Sequence, residues 1–304
     1  MLNPQRENNE DWKKELRIAL ANAITGNSQL KEKAQEQIGY YYMCYAPTFL
    51  YKYYSDKPTK LEAVQDNKMW YSAPYKFNDA FDCDLFVDEN AIFTSFAHLA
   101  SHDRGVRAGS PAWRRLKQTI HAQACSMRTT FEDMKVTTGI SCLSELDNSL
   151  LMWAHYANNH RGMCVEYELL EINRQLKFSP IPVVYSDEKV RISSIRQEKI
   201  EVDATRFLIE SLTTKSTEWS YEKEWRIIRD NVACGLKWDV EEKGALLDMI
   251  RPSSVILGCM AELEFEQSVY AYCEERRINL FKMKKNKEFY RLEKIPILQF
   301  EEQD

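Results

Sequence analysis

The first part of the chain carries apolar residues at helical spacing. Between residues 9 and 46 they recur every three or four positions, which predicts amphipathic helices. The run Gly26-Asn27-Ser28 interrupts this pattern, so one helix should end there and a second should run to about Tyr45. We therefore expect a helical N-terminal extension over residues 1–47 that packs on the main domain, with a role in dimerisation as the alternative.

After this extension the pattern changes to short runs rich in aromatic and β-branched residues, which are typical of strands. The predicted strands are Thr48–Tyr54, Lys68–Ser72, Val136–Cys142, Gly162–Tyr167, Ile181–Tyr185, Glu224–Arg229, Ser254–Cys259, Asn279–Met283 and Glu288–Leu292. The helices predicted between them are Leu61–Asn67, 89–103, 111–134, Ser149–Ala157, Asp203–Lys215 and Glu262–Arg276. Because strands and helices do not alternate regularly, we expect an α+β domain over residues 48–304, with a mixed or antiparallel β core and a helical insertion at about 89–134.

Composition narrows the class of protein. Of the 304 residues, 44% are hydrophobic and 29% are charged, which is the balance of a globular protein with a sizeable core. The net charge of -5 excludes a protein that coats duplex nucleic acid through overall positive charge, so RNA or DNA would have to meet a local basic patch. The candidate patch in the helical insertion consists of Arg104, Arg107, Arg114, Arg115, Lys117 and Arg128. A solvated helix face explains these charges equally well.

The cysteines and the N-terminus predict a cytoplasmic location. The eight cysteines form no C-x-x-C pair and mostly lie in apolar runs, which indicates buried reduced thiols rather than a zinc ribbon. No signal-peptide core follows Met1. No apolar stretch approaches the roughly 20 residues that cross a bilayer, so we expect no membrane association.

Two acidic residues, Glu222 and Glu224, lie at the entrance of a predicted strand. Residues i and i+2 of an extended chain point to the same side, so both carboxylates should face one small space. Like charges held this close favour protonation of one of them or recruitment of a cation, and Arg226 is the nearest candidate. An enzyme that stabilises a developing positive charge uses such an arrangement, and a purely structural ion pair is the alternative.

Two further segments offer side chains to a ligand. In the first predicted strand Tyr51 and Tyr53 share a face and Lys52 takes the other, so a ring or the ammonium group can meet a planar ligand or a phosphate. Half-buried strand packing is the alternative. Asn78 and Asp79 lie in a polar loop after the second strand, where they either face a ligand or build turns through side-chain hydrogen bonds.

Two of the five histidines, His155 and His160, lie at the end of a predicted helix. They are five residues apart, whereas a metal-binding pair on a helix prefers four, so we predict no metal site. We interpret His155 as a structural hydrogen-bonded residue, with a place in the lining of a binding site as the alternative.

Several segments, in order, resemble a bacterial family catalogued as domain of unknown function 2971. The matching segments are Leu50–Tyr53, Trp70–Asp82, Ile140–Ser144, Met152–Ala157, the single residues His160, Gly162 and Cys164, and Trp219–Arg226. The resemblance covers about residues 48–295, and it implies no activity by itself.

The layout of these segments also resembles the ADP-ribosyltransferase superfamily, which implies a split β-sheet and NAD as substrate. In that resemblance Lys52 or Tyr51 takes the first-strand position, and Ser141 or Tyr156 braces the nicotinamide ribose. Glu222 and Glu224 take the Glu-x-Glu position at the start of a late strand. The residues implied to contact NAD are Tyr51, Lys52, Tyr53, Asn78, Asp79, Ser141, His155, Tyr156 and Arg226.

The implied chemistry is coherent with a carboxylate pair. Breaking the nicotinamide glycosidic bond builds an oxocarbenium-like cation, which a fixed carboxylate stabilises as the charge develops. Glu224 would hold the ribose 2′-hydroxyl and Glu222 would take the proton of the incoming nucleophile, while Tyr51 or Tyr156 stacks on nicotinamide. The resemblance implies a toxin or antiphage effector that modifies a nucleic acid or protein acceptor, with a neutralising partner protein.

Two other functions remain open at this point. A metal-dependent nuclease or hydrolase would use His155 and His160 with acidic residues such as Asp79 and Asp82, and a chelator would inhibit it. A non-catalytic binding or sensor module is the other alternative, and it predicts that Glu224→Gln changes no turnover, because the wild-type protein has none.

Overall fold

The structure, a computed structural model, describes residues 11–177, 179–194, 200–230 and 238–300. The first two residues of the predicted N-terminal helix and Cys234 lie outside this part of the chain. The helices are α1 (Asp11–Thr25), α2 (Ser28–Tyr45), α3 (Pro58–Gln65), α4 (Glu89–Arg104), α5 (Pro111–Thr137), α6 (Leu150–Tyr156), α7 (Leu169–Leu176), α8 (Ile200–Leu212) and α9 (Leu263–Arg276). The strands are β1 (Phe49–Tyr54), β2 (Lys68–Ser72), β3 (Leu85–Val87), β4 (Thr138–Ser144), β5 (Met163–Glu168), β6 (Ile181–Pro182), β7 (Val184–Tyr185), β8 (Val190–Ile192), β9 (Thr214–Lys215), β10 (Glu224–Asp230), β11 (Gly244–Asp248), β12 (Ser254–Leu257), β13 (Asn279–Lys285) and β14 (Leu292–Leu298).

The chain divides into two compact units, the first of which comprises residues 1–45, 74–138 and 184–217. This unit contains α1, α2, α4, α5 and α8, with two small parallel sheets, β3–β8 and β7–β9. Local signals fix its helix ends: Ser110 caps α5 by accepting the amide of Trp113 at 3.2 Å, and Pro111 occupies the first turn. Buried side chains of α4, α5, β3 and β8 form its hydrophobic core.

The second unit comprises residues 46–73, 139–183 and 218–304, and it is organised around a ten-stranded mixed sheet. The strand order is β11-β2-β4-β1-β5-β12-β13-β14, with β10 paired to β4 and β6 paired to β10. The β12–β13 pair is parallel, whereas the pairs that β1 forms with β4 and β5 are antiparallel. Three strands, β1, β2 and β10, therefore pair with β4, and the sheet forks there.

These observations confirm the predicted α+β class with a mixed sheet. The helical N-terminus is confirmed with its break at Gly26, as are the two helices of the insertion and most strands, within a few residues. The predicted domain limits, 1–47 and 48–304, stay a prediction. The predicted strand Ile181–Tyr185 is divided, because β6 belongs to the large sheet while β7 pairs with β9.

The strand predicted at Glu288–Leu292 is wrong: the residues from 286 to 291 form the loop between β13 and β14. The side-chain oxygen of Asn286 accepts the backbone amides of Glu288 at 2.8 Å and Phe289 at 2.7 Å. Such side-chain bonds replace the ladder of a strand, which begins only at Leu292.

Close backbone approaches at two glycines fix the turn that follows α6. A side chain at Gly258 would place its first carbon 2.1 Å from the carbonyl oxygen of His160, and one at Gly162 would place it 2.0 Å from that of Tyr54. The amide of Met260 donates to the His160 carbonyl at 3.0 Å. Glycine is therefore required at both positions by space, and the turn carrying His160 is held against the start of the segment after β12.

Candidate functional site

Strand β1 places Tyr51 and Lys52, the two candidates for the first-strand position of the resemblance, on opposite faces of the sheet. It lies between β4 and β5 in the large sheet, with Tyr51 opposite Ser144 on one side and Glu166 on the other. Because side chains alternate along a strand, Tyr51 and Tyr53 point to one face and Lys52 to the other. The alternation predicted for this segment is therefore confirmed, and Tyr51 and Lys52 cannot serve the same face of the sheet.

Lys52 belongs to a polar cluster formed with Ser141, Cys142, Glu224 and Arg226. Lys52 and Cys142 are partly exposed, and the other three residues are buried. The ammonium group donates to the hydroxyl of Ser141 at 3.2 Å and to the carbonyl of Cys142 at 2.8 Å. Burial lowers the pKa of Lys52, against the opposing influence of Cys142 and Glu224. Burial, with Glu224 adding to it, raises the pKa of the Cys142 thiol well above its ordinary value.

Glu224, the first residue of β10, forms a bidentate ion pair with Arg226. The guanidinium Nε donates to Oε1 at 2.7 Å and Nη2 donates to Oε2 at 3.0 Å. Residues i and i+2 of a strand share a face, which brings the two side chains together. Glu224 is 4% exposed and Arg226 is fully buried, so this pair lies away from solvent. The predicted partnership of Arg226 with an acidic residue of this pair is thus confirmed for Glu224.

Glu222 has a different environment, because the chain before β10 is not extended. Glu222 ends a 3-10 helix, Thr217–Glu222, and Lys223 has a left-handed φ of 45°. The extended backbone on which the i, i+2 argument for Glu222 and Glu224 depends is therefore absent here, and a shared space for the two carboxylates stays a prediction. The carboxylate of Glu222 accepts the hydroxyl of Tyr156 at 2.5 Å, and its carbonyl accepts the hydroxyl of Ser144 at 2.6 Å.

Four rings, His155, Tyr156, Trp219 and Tyr221, form what we call the aromatic rim. Helix α6 supplies the first two; it begins at Leu150 because Ser149 caps it. The ring centre of His155 lies 6.4 Å from that of Tyr156 and 6.3 Å from that of Tyr221. The ring centres of Tyr221 and Trp219 are 6.1 Å apart. His155 is exposed and the other three rings are partly exposed, whereas Glu222 is only 3% exposed. A buried carboxylate therefore lies one hydrogen bond below a solvent-accessible set of rings.

Tyr51 and Tyr53 pack on the hydrophobic cluster that also supports Tyr156 and Tyr221. Tyr53 is a core residue, since its hydroxyl donates to the carbonyl of Leu146 at 2.6 Å and its ring meets Trp153 edge-on. Tyr51 is half-buried beneath the ammonium of Lys294, 5.9 Å from the ring centre. Burial, with Glu166 adding to it, raises the pKa of Tyr51.

The predicted residues thus fall into two sets within the second unit. One is the polar cluster with Lys52, Ser141, Glu224 and Arg226; the other joins Tyr51, Tyr53, His155 and Tyr156 with Glu222. Asn78 and Asp79 belong to the first unit, where Asn78 is exposed and Asp79 accepts the amide of Phe81 at 2.9 Å. That turn-building bond is the alternative that the sequence left open for the loop.

Sequence reasoning missed Trp219, Tyr221, Cys142 and Lys294. The first two carried a usable signal, since aromatic residues at 219 and 221 directly precede the acidic pair. Cys142 and Lys294 carried none, because their contacts depend on strand pairing across the sheet.

Across the described residues, the structure contains no group of three or more histidine, cysteine or acidic side chains arranged to hold a metal ion. Among the helices in the described part of the chain, none combines the length and the apolar character needed to cross a membrane.

Comparison with known families gives one match. Residues 152–227 match the family described as protein of unknown function, DUF2971. No curated protein and no solved structure matches the chain. The matched segment runs from α6 to β10 and so contains the aromatic rim together with Glu222 and Glu224. The resemblance to this family is supported over these residues, and its description assigns no activity.

Proposed function

We propose that this chain is an ADP-ribosyltransferase-like enzyme that transfers ADP-ribose from NAD to a macromolecular acceptor, a nucleic acid or a protein, as a toxin or antiphage effector. One observation carries the proposal: the carboxylate of Glu222 is held by Tyr156 directly below the aromatic rim. A planar nicotinamide suits such rings, and a fixed carboxylate suits the cation left on the ribose when nicotinamide departs.

The two carboxylates are unequal, and this changes the roles inferred from the resemblance. Glu224 is engaged by both guanidinium donors of Arg226 inside the protein, so an approaching ribose would have to break a buried ion pair to reach it. Glu222 contacts a hydroxyl on a partly exposed ring. We therefore assign Glu222 to the ribose and treat Glu224 as a positioning residue at the start of β10.

In the proposed reaction the C1′–N bond of NAD breaks and nicotinamide leaves with the bonding electrons. The Glu222 carboxylate stabilises the cation as it forms. The nucleophile of the acceptor then bonds to C1′, and its proton passes to Glu222. Tyr156 holds Glu222 in one orientation, and a ring of the rim stacks on nicotinamide.

The sheet gives further support to the proposal, because its forked, mixed arrangement is compatible with the split sheet of the superfamily. Lys52 and Ser141 lie in the polar cluster with Glu224, so the proposal gives them the same positioning role as Glu224.

The test is a labelling assay with NAD that carries its label in the adenylate. Wild-type protein is incubated separately with pools of RNA, DNA and cell protein, with and without a chelator. We expect label in one pool and release of nicotinamide, both unaffected by the chelator. Glu222→Gln should lower the rate by about 10² to 10³, as loss of one electrostatic stabiliser does.

Glu218→Gln is the matched control, because Glu218 is an exposed carboxylate in the same 3-10 helix. It should retain full activity. Tyr156→Phe should lower the rate less than Glu222→Gln, because it removes only the hydroxyl that orients the carboxylate. Absence of label in every pool, with no free nicotinamide, would remove the proposal; inhibition by the chelator would favour the metal-dependent hydrolase.

A further inference from the structure

The hairpin between β13 and β14 combines exposed cations with exposed rings. Lys284, Lys285, Lys287 and Arg291 are all exposed. Phe289 is 59% exposed and Tyr290 is completely exposed. Large aromatic side chains are normally buried in the protein or covered by a partner. Two exposed rings beside four exposed cations therefore indicate an interaction surface.

These residues line two adjoining cavities, which we call the hairpin groove. The larger has a volume of about 470 Å³, and His160, Cys259 and Leu150 line it together with the loop residues 285–292. The smaller has a volume of about 310 Å³, with Lys282 and Lys284 in its lining. Cys259 and Lys285 line both cavities, so the two cavities adjoin at these residues.

The groove is built on a fixed base. Met283 and Leu292 at the two ends of the hairpin are buried in the hydrophobic cluster that supports Tyr156. The side chain of Asn286 closes the loop, and its backbone amide donates to the backbone carbonyl of Arg291 at 3.1 Å. The Arg291 guanidinium lies 4.9 Å from the ring centre of Phe289. The backbone of the loop and the Arg291–Phe289 pair are therefore held in position.

The charges of the groove are mostly uncompensated. Within the described part of the chain, Lys284, Lys285, Lys287 and Arg291 have no carboxylate within ion-pair distance, although Glu288 is an exposed neighbour. Lys282 is paired with Glu266, and Glu293 accepts a hydrogen bond from Asn286. This local excess of positive charge contrasts with the net charge of -5 for the whole chain.

His160, a residue that lines the larger cavity, has one ring nitrogen without a hydrogen-bond partner. His160 Nδ1 is buried and makes no hydrogen bond, although His160 is held in place through its backbone. Burial, with Lys285 adding to it, lowers the pKa of His160, so the ring is neutral at neutral pH and can accept or donate one bond. The His160 ring therefore adds no positive charge to the groove at neutral pH.

From these observations we infer that the hairpin groove binds single-stranded nucleic acid. Cations spaced along a groove track a phosphate backbone, and exposed rings stack on unpaired bases. A duplex keeps its bases stacked inside, so it would leave Phe289 and Tyr290 without a function. An acidic peptide would satisfy the cations but would not use the rings. The inference does not depend on NAD chemistry.

The test is fluorescence anisotropy with an unstructured, end-labelled RNA of about 12 nucleotides, of the order of the site sizes of single-strand binders. The hairpin variant Lys285→Ser/Lys287→Ser/Arg291→Ser is compared with an insertion variant, Arg114→Ser/Arg115→Ser/Lys117→Ser. Both variants remove three exposed cations, and the second removes them from the basic patch noted in the sequence. Circular dichroism spectra and melting temperatures establish that each variant is folded.

We expect wild-type binding whose logarithmic salt slope falls by about 2 in the hairpin variant, since single strands release about 0.7 counterions per phosphate contact. The insertion variant should bind like wild type. Phe289→Ser/Tyr290→Ser should weaken binding about tenfold or more while preserving the salt slope, because stacking involves no counterions.

Four results would overturn the inference. They are no binding by wild type, loss of binding in the insertion variant but not in the hairpin variant, equal affinity for a duplex of the same length, and equal affinity for polyglutamate. None of these measurements includes NAD, so they leave the proposed transferase activity to its own assay.

Discussion

The ion pair between Glu224 and Arg226 offers the sharpest test of how the site is built. Glu224→Gln keeps the shape of the side chain and removes its charge, so the bidentate contact of the buried Arg226 guanidinium no longer meets a carboxylate. Both donor–acceptor contacts, at 2.7 Å and 3.0 Å, lie in the interior, where Arg226 has no exposed surface. Breaking a buried pair by removing one partner costs about 3–5 kcal/mol.

The change in melting temperature shows whether the ion pair between Glu224 and Arg226 is closed to solvent. A chain of 304 residues that unfolds as a whole loses about 1.6 °C of melting temperature per kcal/mol, so Glu224→Gln should melt about 5–8 °C below wild type. Glu224→Leu/Arg226→Met replaces both charges by apolar groups of similar volume, and such exchanges are often neutral or stabilising. This double variant should therefore melt close to wild type, well above the sum of the single losses.

The assay is calorimetry on wild type, Glu224→Gln, Arg226→Met and the double variant. Midpoints are compared, because a chain with two compact units need not unfold in one step. Glu171→Gln, which breaks the exposed pair with Arg174 at the surface, is the control and should leave the midpoint unchanged. A wild-type midpoint for Glu224→Gln, or strict additivity in the double variant, would refute the description of a closed pair.

Three further predictions concern other parts of the second unit. Gly258→Ala should destabilise the protein by about 1–3 kcal/mol in denaturant unfolding, because its methyl group would meet the His160 carbonyl. Since the pKa of His160 is lowered below the unfolded value of about 6.5, the unfolded chain binds more protons between the two values, and His160→Gln should reduce the loss of stability as the pH falls below 6.5. Iodoacetamide at pH 7.5 should modify exposed Cys125 well before Cys142, whose raised pKa keeps it a thiol.

Each of these predictions has a result that contradicts it. Unchanged unfolding of Gly258→Ala would show that the turn after α6 is not fixed by the close approach. If the melting temperatures of wild type and His160→Gln change by the same amount between pH 8 and pH 5, the His160 ring is not desolvated beside Lys285. Peptide mapping that finds Cys142 modified as fast as Cys125 would mean that the polar cluster is open to solvent.

The sequence predicted those parts of the fold that depend on neighbours along the chain. The break between α1 and α2, the aromatic strand β1 and the helices α4 and α5 follow from periodicity and from caps, which act over a few residues. The same locality made the prediction fail at 288–292, where the side chain of Asn286 competes with a strand that the residue types favour. Because a strand was predicted where this loop lies, the sequence did not predict the hairpin groove.

For the candidate site, the sequence by itself determined which residues are candidates: an acidic pair, an arginine two residues further on, and tyrosines on β1 and α6. Only the tertiary structure decided how they are shared out. Glu222 meets Tyr156 across 66 residues of chain, while Glu224 turns to Arg226. A 3-10 helix and the left-handed Lys223 break the extended geometry on which the i, i+2 rule depends. Glu222 therefore meets a ring that only the long-range fold brings close, whereas Glu224 pairs with Arg226 two residues along its own strand.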